Sequence, residues 1–132
     1  MKLDGFAIDL TTETINNGIS CFCCVRTSVK PKTDSDSSQN AINTIDKTLR
    51  ETVKDTVHKS NLLSDRYIVD FDCTRDNLNP IKWSRLKVDI YTFTRHSSKE
   101  KQLISEITKI IKKVCKVIST ISSKNQIMIS DS

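Results

Sequence analysis

The stretch from Leu103 to Ile121 most narrows what this chain can become. Ile104, Ile107, Ile111, Val114, Ile118 and Ile121 recur at intervals of three and four, and Leu103, Ile110 and Val117 flank them every seven residues. Those intervals trace one face of an α-helix. The stripe is wider than a single strand pair can bury, so the helix must find cover from more than a hairpin. Just ahead of it, Ser97-Ser98-Lys99-Glu100 has the serine-to-glutamate spacing of a capping box, which predicts the helix start there.

The rest of the chain supplies that cover. From about Asn40 to Lys59 the residues Ile42, Ile45, Leu49, Val53 and Val57 repeat every three or four positions, which predicts a second amphipathic helix capped by Ser38 or a neighbour. Arg66 to Thr74 alternates Tyr67, Val69, Phe71 and Cys73 against Ile68, Asp70 and Asp72. Arg85 to Arg95 alternates Leu86, Val88 and Ile90 against Lys87, Asp89, Tyr91 and Phe93. Both segments read as strands, paired as an antiparallel hairpin. At the N-terminus Phe6, Ile8 and Leu10 alternate with polar residues, Asn16-Asn17-Gly18 is a turn signal, and a second extended run from Ile19 to Val29 ends at Pro31. Residues 30–39 form a polar segment with no apolar side chain beyond the proline, expected to be a mobile loop. Gln126 to Ile129 closes the series as a short strand. The order is β-β-α-β-β-α-β, which predicts an α+β fold. An antiparallel sheet carries two helices on one face, in the ferredoxin-like β-α-β-β-α-β order, with an extra N-terminal hairpin strand. The strands around Cys23 and Ile90 become central neighbours.

At 132 residues the chain has room for one domain and one core. It contains two glycines, Gly5 and Gly18, so neither a glycine-rich phosphate loop nor a dinucleotide-binding turn can be built. No apolar run is long enough to span a membrane, and the opening Met-Lys-Leu-Asp-Gly-Phe lacks the apolar core of a signal peptide. A cytoplasmic protein is expected. The net charge of +5 is concentrated near the C-terminus, where residues 96–132 carry seven lysines against three acids. A solvated helix face accounts for these lysines more simply than a polyanion site does.

The five cysteines are Cys21, Cys23, Cys24, Cys73 and Cys115, an odd number with no paired metal-binding spacing. Reduced, buried thiols are expected. On a strand, Cys24 points to the face opposite Cys21 and Cys23, which speaks against a shared zinc. His58 and His96 have no local cysteine or histidine partner. Asp70, Asp72 and Asp89 fall on one sheet surface and could hold a divalent cation, but Lys87 and the flanking arginines share that surface and make charge pairing the simpler reading. No catalytic, cofactor or metal site is expected.

An interaction face is more promising. If Cys21, Cys23 and Val25 face the helices, then Phe22, Cys24 and Arg26 face away, beside Lys87, Tyr91, Phe93 and Arg95 of the neighbouring strand. The candidate face is therefore Phe22, Arg26, Lys87, Tyr91, Phe93 and Arg95. Aromatics amid cations make a base-stacking platform, and the arrangement resembles RNA-recognition motifs in architecture, although Leu86 to Thr94 lacks that family's glycine-containing consensus. The competing expectation is that the N-terminal hairpin or a neighbouring subunit covers these aromatics.

Residues 40–121 carry a further resemblance. A helix, the strand Tyr67-Ile68-Val69-Asp70-Phe71, a polar loop and the strand Arg85 to Phe93 lead through Arg95-His96-Ser97-Ser98-Lys99-Glu100 straight into a long amphipathic helix. This layout resembles the tail-terminator or tail-completion proteins of phages. The resemblance implies a non-enzymatic structural protein that forms a ring, binds protein partners including copies of itself, and closes a tail tube, in the cytoplasm or the virion. Single-stranded nucleic-acid binding through the sheet face is the alternative.

Overall fold

The computed structural model describes residues 3–32, 36–60, 67–72, 84–95 and 97–130, and of residues 36–39, 67–72 and 97 only the backbone. The strands are β1 (Ala7–Ile15), β2 (Gly18–Pro31), β3 (Tyr67–Asp72), β4 (Ser84–Thr94) and β5 (Ile127–Ser130), and the helices are α1 (Asp36–Lys59) and α2 (Glu100–Lys124). The class is α+β, with an antiparallel sheet and two helices.

Strand β2 is the spine of the sheet. One of its edges pairs with β4 from Ile19↔Thr94 to Val29↔Ser84, and β3 continues beyond β4. The other edge is shared in tandem: β1 pairs with Gly18 to Arg26, and β5 with Ser28 to Pro31. The sheet is therefore four strands wide although five strands build it. Thr27 sits at the junction, opposite neither β1 nor β5, and its Oγ1 donates to the Gly5 carbonyl at 2.6 Å and lies 3.2 Å from that of Ser130. One hydroxyl thus ties the two short ends together. Cys23 and Ile90 are direct partners at the centre, as the alternation of both strands requires.

The core lies between one sheet face and the helices. Cys21, Cys23, Val25 and Val29 of β2 with Leu86, Val88 and Ile90 of β4 meet Ile42, Ile45, Leu49, Val53 and Val57 of α1 and Leu103, Ile107, Ile110, Ile111, Val114 and Ile118 of α2 in one buried cluster. Each large aliphatic side chain so buried is worth about 1.5–3 kcal/mol relative to exposure. The period-2 and period-3.6 patterns thus converge on a single interior.

Three sequence expectations are corrected. Lys30 and Pro31 belong to β2 and α1 already begins at Asp36, so both ends of the segment expected as a loop over 30–39 lie in regular elements, while residues 33–35 lie outside the described ones. Pairing with β5 holds the end of β2 in the sheet, and the polar residues ahead of Asn40 join the first helical turn. The α-helix does not start at Ser97: Ser97–Lys99 is a 3-10 turn, α2 begins at Glu100, and Lys99, at the boundary, makes no side-chain cap. The buried seam of α2 departs from the expected one only in part: Ile107, Ile111, Val114 and Ile118 are buried as the periodicity predicts. Leu103 and Ile110 are fully buried, whereas Ile104, Val117 and Ile121 are half-buried. Two residues of the flanking heptad thus join the buried seam, and the two ends of the expected seam are only partly covered. The hairpin turn falls at the expected Asn16-Asn17-Gly18, with Asn16 and Asn17 at its two central positions and φ of 47° and 66°. Two successive left-handed residues are the geometry of a type I′ turn, which asparagine tolerates.

Candidate interaction face

The sheet face turned away from the helices is read off the register. Across it run the rows Asp9-Cys24-Asp89, Ala7-Arg26-Lys87, Thr11-Phe22-Tyr91 and Glu13-Ser20-Phe93. Phe22 and Tyr91 are direct cross-strand partners, with ring centroids 4.8 Å apart and planes inclined by 40°. A tilted contact at this distance suits two aromatic quadrupoles. Phe93 lies one row further along β4. Tyr91 and Phe93 keep 45% and 44% of their surface exposed, values high for rings of this size on a sheet face.

Phe93 is held by a glycine. A Cβ on Gly18 would stand 2.5 Å from Phe93 Cζ and 2.6 Å from the carbonyl oxygen of Thr94, so the ring lies flush on the hairpin backbone. Gly18 matters here through this close approach. Ile15, its partner across the turn, is 40% exposed and extends the apolar strip to the sheet corner.

Two cations of the face are engaged in ion pairs. Arg26 Nη2 meets Asp9 Oδ2 at 2.9 Å, and Lys87 Nζ meets Asp89 Oδ2 at 3.3 Å. The Asp89 carboxylate and its hydrogen bond hold the Lys87 ammonium above its ordinary range. Asp89 is buried at the middle of the face, beside the Cys24 thiol. In the register Asp70 stands opposite Lys87 and Asp72 opposite Arg85, so acids and bases alternate across the strands. Arg95, exposed just past the end of β4, stands at the rim beyond Phe93.

Of the residues singled out from sequence, Phe22, Arg26, Lys87, Tyr91 and Phe93 thus share one face, and Arg95 lies at its end. Sequence reasoning missed Asp9, Ile15 and Gly18. Their signal was the two-residue turn, which pairs Ile15 with Gly18 and so sends Ala7, Asp9, Thr11, Glu13 and Ile15 to the outer face. The expectation that the N-terminal hairpin covers the aromatics is overturned: β1 extends the sheet in its own plane and leaves both rings open.

The thiols are placed for packing. Cys21, Cys23, Cys24 and Cys115 are unbridged and buried, and Cys73 lies outside the described residues. Burial pushes the Cys23 thiol up to about 12 and the Cys115 thiol up to about 11. Burial first, then the neighbouring Asp89 carboxylate, raises Cys24 to about 11. Burial and then Glu100 raise Cys21. A protonated thiol is a poor nucleophile and a poor metal ligand. Among the described residues no group of three or more His, Cys, Asp or Glu side chains is close enough to hold a metal ion. His58 is exposed in the last turn of α1, and His96 lies outside the described residues. No helix among the described residues is long and apolar enough to cross a membrane.

Comparison with protein families, with curated proteins and with solved structures finds no match to this chain.

Proposed function

We propose that this chain is a non-enzymatic protein-binding and assembly module, of the kind that phage tail-terminator proteins represent, and that it works through the outer face of its sheet. One observation carries the reading: Tyr91 and Phe93 stand exposed on a face whose cations Arg26 and Lys87 are already paired with Asp9 and Asp89. An aromatic patch with internally balanced charge suits a protein surface, where burying rings supplies the energy and unpaired charge would cost. A phosphate backbone wants free cations, and the acids on this face repel it. The partners are proteins, copies of the same chain among them, and the site of action is the cytoplasm or the virion. The described thiols, buried and held protonated, support a role without catalysis.

The ferredoxin-like assignment belongs to the same proposal. It is supported by β2 standing between β5 and β4, and β4 between β2 and β3, with β1 as an addition beside β5.

Nucleic-acid binding is favoured by a single feature, the exposed rings beside Arg95. Both readings meet in one experiment. The mass of the native protein is measured by sedimentation, and affinity for a single-stranded oligonucleotide by anisotropy, in the parent and in Tyr91→Ala and Phe93→Ala. The assembly reading expects an oligomer whose mass or stability falls in both variants. A monomer that binds the oligonucleotide, and loses about 1–3 kcal/mol of that affinity on removing either ring, would reverse it.

A further inference from the structure

We infer that the free edge of β1 is a pairing surface for the β1 of a second copy, joined antiparallel about a two-fold axis through Leu10. The inference rests on the assembly reading only in taking a second copy as the partner, and it names the surface that reading leaves open.

Among the described residues β1 is the outermost strand on its side of the sheet, nine residues long and exposed from Asp9 to Ile15. The two-residue turn makes Ile15↔Gly18 a pair that exchanges both hydrogen bonds. Ladder alternation then points the N–H and C=O of Ile8, Leu10, Thr12 and Thr14 away from β2. Edge strands are ordinarily protected by lysine, proline, a bulge or a covering segment. β1 has no lysine and no proline, its register with β2 runs unbroken from Ala7 to Ile15, and every residue whose backbone faces outward is uncharged. Its two acids, Asp9 and Glu13, lie on the other set of positions, and Asp9 is tied to Arg26.

Of the antiparallel registers that keep the faces of two such strands aligned, three pair at least seven residues of β1, and charge and burial together select among them. Centring on Thr11 sets Asp9 against Glu13 of the second copy, a like-charge pair on one face. Centring on Thr12 sets Asp9 against Ile15 and Leu10 against Thr14. Centring on Leu10 sets Asp9 against Thr11, Glu13 against Ala7, and Leu10 against Leu10. Only the last avoids opposing acids while burying leucine on leucine. Leu10 needs such cover: it points to the helix side of the sheet yet is 37% exposed, because the helices pack over β2 and β4 and do not reach it. The outward backbone groups of Ile8, Leu10 and Thr12 then pair with those of Thr12, Leu10 and Ile8, and the two outer faces join into one surface that carries both aromatic patches. The contact is isologous and closes at two copies, so any larger assembly must add a different surface.

Sedimentation velocity over a concentration series tests this, with circular dichroism as the check on fold. The parent is expected at twice the chain mass or a multiple of it. Leu10→Lys and Leu10→Glu, which place like charges at the two-fold axis, are each expected to halve that mass, and an equimolar mixture of the two to restore it. Thr12→Pro removes an outward N–H that β2 does not use and is expected to act as the single charges do. Leu10 variants that sediment like the parent overturn the inference. If Tyr91→Ala lowers the mass while they do not, the edge inference fails and the assembly reading stands. A parent that is monomeric throughout overturns both.

Discussion

Replacing Ile110 by alanine tests the orientation of α2, on which the placement of the whole sheet depends. The side chain is fully buried in the core, with Ile107, Ile111 and Val114 beside it, so its removal leaves a cavity as well as losing transfer energy. Isoleucine-to-alanine changes at such sites cost about 2–5 kcal/mol. The better helix propensity of alanine returns only a few tenths of that. With an unfolding entropy of roughly 2.1 cal/mol/K per residue, 132 residues give about 0.28 kcal/mol/K, so the melting temperature should fall by roughly 7–18 °C. Ile104 is the control. It belongs to the seam that periodicity alone suggests, but it is half-buried, and its alanine variant should lose about 1 kcal/mol, or about 4 °C. Thermal melts followed by circular dichroism, with urea titrations for the free energies, measure both. An Ile104→Ala variant as unstable as Ile110→Ala would refute this orientation of the helix and the packing built on it. The harsher Ile111→Asp puts an unpaired charge at a site 1% exposed, and with a total stability of about 5–15 kcal/mol it should not fold.

Gly18→Ala should destabilise the protein by about 1–3 kcal/mol, since the added methyl group meets both Phe93 and the backbone of Thr94. Combined with Phe93→Ala the loss attributable to the ring should vanish while that at Thr94 remains, a double-mutant cycle read by urea denaturation. A thiol reagent at mildly alkaline pH should modify native Cys21, Cys23, Cys24 and Cys115 slowly, and denatured protein should titrate five thiols without reductant. The same thiols set an alkaline limit. The folded state keeps its protons up to about 12 at Cys23, whereas an unfolded thiol releases them near 9.0, so the stabilising contribution is whole below pH 9 and declines as pH rises towards 12. Urea midpoints measured across that window check the sign, and a rise in stability would contradict it.

The sequence by itself determined the elements. Period-3.6 stripes such as Ile42 to Val57, and the period-2 alternation of Leu86, Val88 and Ile90, are consequences of local backbone geometry, so each element announces its buried face before anything packs on it. The candidate face was legible for the same reason: once Cys21, Cys23 and Val25 face inward, Phe22 and Arg26 must face out, and the antiparallel register delivers them to Tyr91 and Lys87. Only the tertiary structure decided the rest. Which part of the wide α2 stripe is covered depends on where β5 and α1 approach, a contact between residues far apart in the chain, so Ile110 and Ile104 look equivalent in sequence and are not. That Arg26 and Lys87 are neutralised depends on Asp9 and Asp89, and the first of these comes from a strand whose face is set by the Asn16-Asn17 turn. Whether Tyr91 and Phe93 are open was undecidable from spacing, because β1 could lie over the sheet or beside it. Backbone hydrogen bonding to the free edge of β2 chose the second, leaving the rings to solvent and making β1 the new edge.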